Sequence, residues 1–246
     1  MAKQDKTSRR AVIDDIRNKQ KSAERRRGGM ILGVAVLVGL LIIGAAAYRP
    51  VKDWMDLRSF ESMDLADIGA PATDACQETE TKKAEGTQDH VEPGTPLAFA
   101  DSPPAFGQHY NVWESIDRKF YNASDRPELG NLVHNLEHGY TILWYDETAA
   151  GDEATMDELR GIASKFGGAS NQRNKFKVAP WTSEDGDPFP DGQHLALTHW
   201  SAGGAGETDP AKQVGATQYC SEPSGEAVES FMLEYPYLDS PEPTVL

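Results

Sequence analysis

Leu132-Val133-His134-Asn135-Leu136-Glu137-His138-Gly139 runs straight into Tyr140-Thr141-Ile142-Leu143-Trp144-Tyr145. A helical pattern, a glycine and a β-branched, aromatic run follow one another without a gap. At about 100° per residue, Leu129, Leu132, Val133 and Leu136 form one apolar stripe, which predicts a helix from about Pro127 to His138. Gly139 suits the left-handed position just past a helix end. Tyr140 to Tyr145 reads as a buried strand. A short helix feeding a buried strand is the unit of an α/β or α+β layer fold.

The same stretch places His134 and His138 four residues apart, on one helix face and away from the leucine stripe, with Asn131 beside them. Glu137 between them completes the reversed zinc-peptidase pattern H-x-x-E-H. A peptidase needs that helix to continue and an acid on a following helix to complete the metal site. Here Gly139 stops the helix, and the downstream acids Glu153, Asp157 and Glu158 belong to an exposed amphipathic face. Two histidines turned away from an apolar stripe face either solvent or a second polar surface. The loop Pro103-Pro104-Ala105-Phe106-Gly107-Gln108-His109-Tyr110 is the expected second surface, and it brings His109 to the pair. His109, His134 and His138 are then the candidate ligands of a zinc or copper ion, with Glu137 supporting them; a polar structural network is the alternative. His199 shares the apolar face of an alternating strand with Leu195 and Leu197 and reads as a histidine bonded to backbone. His90 and His194 sit in polar loop contexts and carry little signal.

Working outward, Met156, Leu159, Ile162, Ala163 and Phe166 recur at helical spacing and predict a helix over 152–166. Phe176 to Pro180 reads as a short strand, Gln193 to Trp200 as another, and Ser224 to Glu234 as a last helix. The order helix, strand, helix, strand, strand, helix fits a small mixed sheet, for which a thioredoxin-like arrangement is one candidate. The tail from Tyr235 to Leu246 is expected to be extended on a surface. No Gly-rich phosphate loop, nucleophile elbow or C-x-x-C pair is present, so phosphate transfer, serine hydrolysis and thiol redox chemistry leave no trace.

The N-terminal region differs sharply from this body. Residues 1–29 hold ten Lys/Arg against four Asp/Glu, a net of +6 in a chain whose total is −15. So acidic a remainder disfavours nucleic acid as a partner. Ser8 can cap a helix over 8–27, where Val12, Ile13 and Ile16 make an apolar strip suited to the inner leaflet. Met30 to Tyr48 is uncharged over nineteen residues, about 28 Å of helix at roughly 1.5 Å per residue, and so a transmembrane span. The long basic flank argues against a cleaved signal peptide. Arg25-Arg26-Arg27 mark the N-terminal side as cytoplasmic. The expected organisation is therefore a basic arm at 1–29, a span at 30–48, a juxtamembrane segment and linker at 49–89, and an extracytoplasmic domain at 90–246. Cys76 and Cys220 are the only two cysteines; outside the cytoplasm a disulfide is the expected state, with two unrelated thiols the alternative.

Ser102-Pro103-Pro104-Ala105-Phe106-Gly107-Gln108-His109-Tyr110 together with Leu132 to Gly139 resembles an actinobacterial family of single-span proteins built on a domain of unknown function. The resemblance covers roughly residues 75–245, and His109, His134, Glu137 and His138 match its pattern. Phe106 and Gln108 depart from it. One branch of that family is similar to an accessory subunit of the respiratory supercomplex that joins a cytochrome bc complex to a cytochrome oxidase. The resemblance thus implies a non-catalytic, membrane-anchored accessory subunit with supercomplex subunits as partners. An extracytoplasmic metal-binding protein or metalloenzyme is the alternative.

Overall fold

The computed structural model describes residues 2–244; the side chains of residues 2–14, 16, 23, 49, 50 and 53–57 fall outside the described set. The expected strip of Val12, Ile13 and Ile16, and the cap at Ser8, lie there. Helix α1 runs Ala2–Glu61, covering the arm, the apolar segment and residues 49–61 of the juxtamembrane segment. Its stretch Arg17–Tyr48 is long and apolar enough to cross a membrane. Hydrocarbon forces such a segment to satisfy its own backbone hydrogen bonds, which a helix does. The chain divides into two compact units, Met1–Met55 and Asp56–Leu246.

The elements of the second unit are α2 (Ala72–Ala75), β1 (Glu80–Lys83), β2 (His90–Val91), β3 (His109–Tyr110), α3 (Leu129–Glu137), β4 (Thr141–Tyr145), α4 (Glu147–Gly151), α5 (Glu153–Ser164), β5 (Phe176–Pro180), β6 (Leu195–Ser201), β7 (Val214–Cys220) and α6 (Gly225–Glu234). Five strands form a mixed sheet in the order β1-β7-β6-β4-β5. β4 and β5 are parallel, joined across α5, while β6 and β7 run antiparallel. β2 and β3 make a separate two-stranded parallel ladder.

Every residue of β4, β5 and β6 is buried, because helices cover the sheet on both faces. On one face Leu143, Val178, Leu197 and Ala216 meet Leu159 and Ile162 of α5 and Val228 and Phe231 of α6. On the other, Ile142, Trp144, Ala179, Ala196 and Trp200 meet Leu132, Val133 and Leu136 of α3. The leucine stripe read from the sequence is thus the sheet-facing side of α3. Gly139 has φ +85° and ends the helix as expected; a Cβ there would lie 2.2 Å from the carbonyl oxygen of Tyr237, so the tail crosses directly over the turn.

Several elements differ from the expectation. The segment read as a connector contributes β1, which pairs antiparallel with β7, and a Cys76–Cys220 disulfide ties it there. β7 escaped detection because Gly215 and Gln218 interrupt its alternation. The tail is not simply laid on a surface: Asp239 and Ser240 are buried.

Candidate metal centre

Three chain segments meet above the outward side of α3. Gly130 lets them do so, since a Cβ at that position would come within 2.5 Å of the Tyr110 ring. β3 therefore lies tight against α3 and carries His109 with it. The parallel ladder then sets His90 opposite His109. Asn135 fixes the next stretch of loop from the helix side. Its Oδ1 accepts from Glu114 N at 3.0 Å and its Nδ2 donates to Glu114 O at 2.9 Å. This places the Trp113 ring 5.0 Å from both His134 and His138.

The result is a cluster of His90, His109, His134 and Glu137 whose ligand atoms all lie within 4.8 Å of one another. Glu137 Oε2 is 3.1 Å from His109 Nε2, 3.2 Å from His90 Nε2 and 3.9 Å from His134 Nε2. His90 Nε2 and His134 Nε2 are 3.4 Å apart. Ligands about 2.0–2.1 Å from a tetrahedral ion stand roughly 3.3 Å from each other, which is the scale of these separations. His109, His134 and Glu137 are buried, whereas the His90 side chain is 42% exposed and closes the outer side.

Hydrogen placement makes the cluster unusual. His109 Nδ1 is 2.8 Å from Gly107 O and His134 Nδ1 is 2.5 Å from Tyr110 O. A carbonyl only accepts, so each Nδ1 carries a hydrogen, which leaves Nε2 as the atom each ring turns inward. Backbone carbonyls that fix ring tautomer and orientation in this way are the usual support of metal-bound histidines. Burial, followed by the neighbouring His138 and His109, pushes the His134 pKa down to about 4. Burial alone would raise the Glu137 carboxyl, but the hydrogen bond and charge from His109, with His90 and His134, outweigh it and hold the carboxyl below its ordinary value. An ionised carboxylate is the state a metal ion requires of Glu137, and His134, held below its ordinary value, is ready to offer a nitrogen lone pair.

Of the residues singled out from the sequence, His109 and His134 meet here, and Glu137 points its carboxylate among them rather than standing behind them. His138 is not one of these four; with Glu137 and Glu242 it forms a second group whose ligand atoms lie within 4.8 Å of one another. Its ring lies 4.5 Å from that of His134, but its Nδ1 turns to the backbone oxygen of Glu242 at 3.2 Å. The tail holds it there: Glu242 N donates to Glu137 O at 2.9 Å, and Lys175 Nζ donates to both His138 O and Pro243 O at 2.8 Å. His90 takes the fourth place, and nothing in its local sequence signals this, because a two-residue strand has no periodicity. His199 is fully buried among backbone carbonyls, with Nε2 2.7 Å from Asp239 O and Nδ1 3.1 Å from Tyr140 O.

Fold and site together define an α/β domain with a buried histidine–carboxylate cluster, preceded by one apolar helix. The chain belongs to the family described as "Protein of unknown function (DUF3105)", which matches residues 90–245 and so begins at His90 itself. No curated protein and no solved structure matches the chain.

Proposed function

We propose that this chain is a membrane-tethered protein whose α/β domain binds one transition-metal ion, zinc or copper, through His90, His109, His134 and Glu137. One observation carries the reading. His109 faces an acceptor at both nitrogens, Gly107 O and Glu137 Oε2, while the Nε2 of His134 and His90 converge on the same oxygen. A cation in their midst would be held by three imidazole nitrogens and a carboxylate oxygen at once. Donors of this kind suit zinc and copper. Elemental analysis of the detergent-purified chain tests it: about one equivalent of metal is expected in wild type and a trace in His134→Ala. Less than a tenth of an equivalent in wild type, after incubation with either ion, ends the reading.

A second, compatible reading is a non-catalytic accessory subunit of a cytochrome bc–cytochrome oxidase supercomplex. It is favoured by the apolar stretch within Arg17–Tyr48, by Arg25 to Arg27 as the cytoplasmic flank, and by a disulfide suited to an extracytoplasmic domain. A tag on the C-terminus should carry cytochrome absorbance through purification from native membranes; a tagged chain that purifies alone rejects it. A thioredoxin-like arrangement is supported by the order β5-β4-β6-β7 with α5 and α6 on one face. The helix that such folds insert on the opposite face after the second parallel strand is missing between β5 and β6, and α3 covers that face instead.

A further inference from the structure

The converging ligands leave one buried nitrogen unexplained. His138 is 2% exposed, and its Nε2 has no hydrogen-bond partner among the described residues. With Nδ1 against the Glu242 carbonyl, the hydrogen sits on Nδ1 and Nε2 presents a lone pair; His109 and His134 turn their Nδ1 to a carbonyl in the same way. Those two aim their Nε2 atoms at the metal position. His138 is oriented in the same manner, yet its free nitrogen meets nothing among the described residues.

The space beside it supplies a reason. A solvent-connected cavity of about 430 Å³ is lined by His90, Asn111, Trp113, His134, His138 and Glu242. Two of these, His90 and His134, belong to the four-residue cluster, so an ion held there has one side on the cavity. His134 Nε2 and Glu137 Oε2 stand 3.9 Å apart, more than the roughly 3.3 Å of neighbouring tetrahedral ligands, and these two residues directly precede His138 in the chain. A gap on that edge admits another ligand without displacing any of the four.

We propose that the bound ion keeps an exchangeable fifth position opening onto this cavity, filled by a water molecule whose O–H donates to His138 Nε2. The inference rests on the reading of His90, His109, His134 and Glu137 as the metal ligands. It makes His138 a positioning residue rather than a ligand. It also assigns the cavity a ligand class: water, hydroxide and small anions that exchange with them, since the Trp113 ring, anchored through Glu114 and Asn135, stands over both histidines. Zinc sites with an open position expand to five ligands in this way.

Cobalt(II) substitution of the full-length, detergent-purified chain reads the coordination number directly. Wild type should bind one equivalent with the weak visible bands of a five-coordinate ion, and azide should shift them in a saturable manner. His138→Phe should keep the cobalt, gain several-fold stronger tetrahedral bands and lose the azide response. His138→Gln, whose amide oxygen supplies an acceptor near the Nε2 position, should behave as wild type. Cobalt bound in wild type with tetrahedral bands and no azide response overturns the fifth position while leaving the metal site standing. A phenylalanine variant indistinguishable from wild type overturns the role of His138. If that variant fails to fold, the wild-type azide response and the glutamine variant still decide. No cobalt bound at all removes both this inference and the site it rests on.

Discussion

Helices α3 and α5 flank the same sheet but are buried differently. α5 sets Met156, Leu159, Ile162 and Ala163 against the strands and leaves Glu153, Ala154 and Ser164 in water, the ordinary amphipathic case. In α3 every residue from Leu132 to Glu137 is buried, although half of that run is polar. An amphipathic helix in solvent needs nothing for its polar side. A helix covered on both sides must find a partner for each buried polar atom, because an unpaired one costs about 1–3 kcal/mol. The side chains on the outward face of α3 are therefore specified by chemistry, and those of α5 largely by volume.

Five measurements would break or sharpen that contrast. The largest effect belongs to the apolar side, where Cys220 lies in the core beside α6. Opening the disulfide by Cys76→Ser with Cys220→Ser releases a loop of 144 residues and should lower stability by about 5 kcal/mol in the chain-entropy account, as read by urea unfolding. Ile162→Ala on α5 should cost roughly 2–5 kcal/mol, equally with zinc or with chelator. A zinc-dependent cost would show that the two faces are coupled.

Acid should act on the α3 side. The folded pKa of His134, pushed down to about 4 by burial first and by its histidine neighbours next, lies below the unfolded value of about 6.5. The unfolded chain then takes up a proton that the folded one refuses. Stability is fully present above pH 6.5 and is lost as pH falls toward 4, by at most about 3 kcal/mol. Apo protein of His134→Phe should show a flatter profile over that window; an unchanged slope would assign the acid sensitivity elsewhere. His109→Ala should abolish the stabilisation by zinc, about 2.7 kcal/mol at a hundredfold excess over Kd. In chelator it should still cost about as much as Ile162→Ala, since it removes a buried ring that bonds both Gly107 O and Glu137 Oε2.

The smallest contrast concerns the helix starts. Asp152 caps α5 by accepting from Thr155 N at 3.0 Å, whereas Glu128 at the start of α3 makes no side-chain cap bond. Asp152→Ala should therefore cost about 1 kcal/mol and Glu128→Ala almost nothing. Equal losses in thermal melts would mean that α3 depends on its own start more than its burial suggests.

Local pattern made α3, β4, α5, β5 and α6 legible, because apolar periodicity reports which side of an element is buried. It fails where burial is not apolar. Lys177 on β5 is fully buried, its Nζ donating to Ser115 O at 2.7 Å and Arg118 O at 3.1 Å. Burial, with Lys119 nearby, pushes its pKa down to about 7. A lysine in a strand reads as a solvent position, and no neighbour in sequence reveals the distant carbonyls that receive it.

The same limit explains the outcome at the histidines. The sequence by itself determined that His134 and His138 share a face turned from the leucine stripe, that Gly139 ends their helix, and that an apolar helix precedes the domain, since each follows from spacing along one segment. Only the tertiary structure decided which histidines meet. His90 is brought to His134 across 44 residues by a two-residue ladder, and His138 is drawn to Glu242 across 104 residues by the tail. Contacts of that kind are set by how distant segments pack, for which a single helix face carries no code.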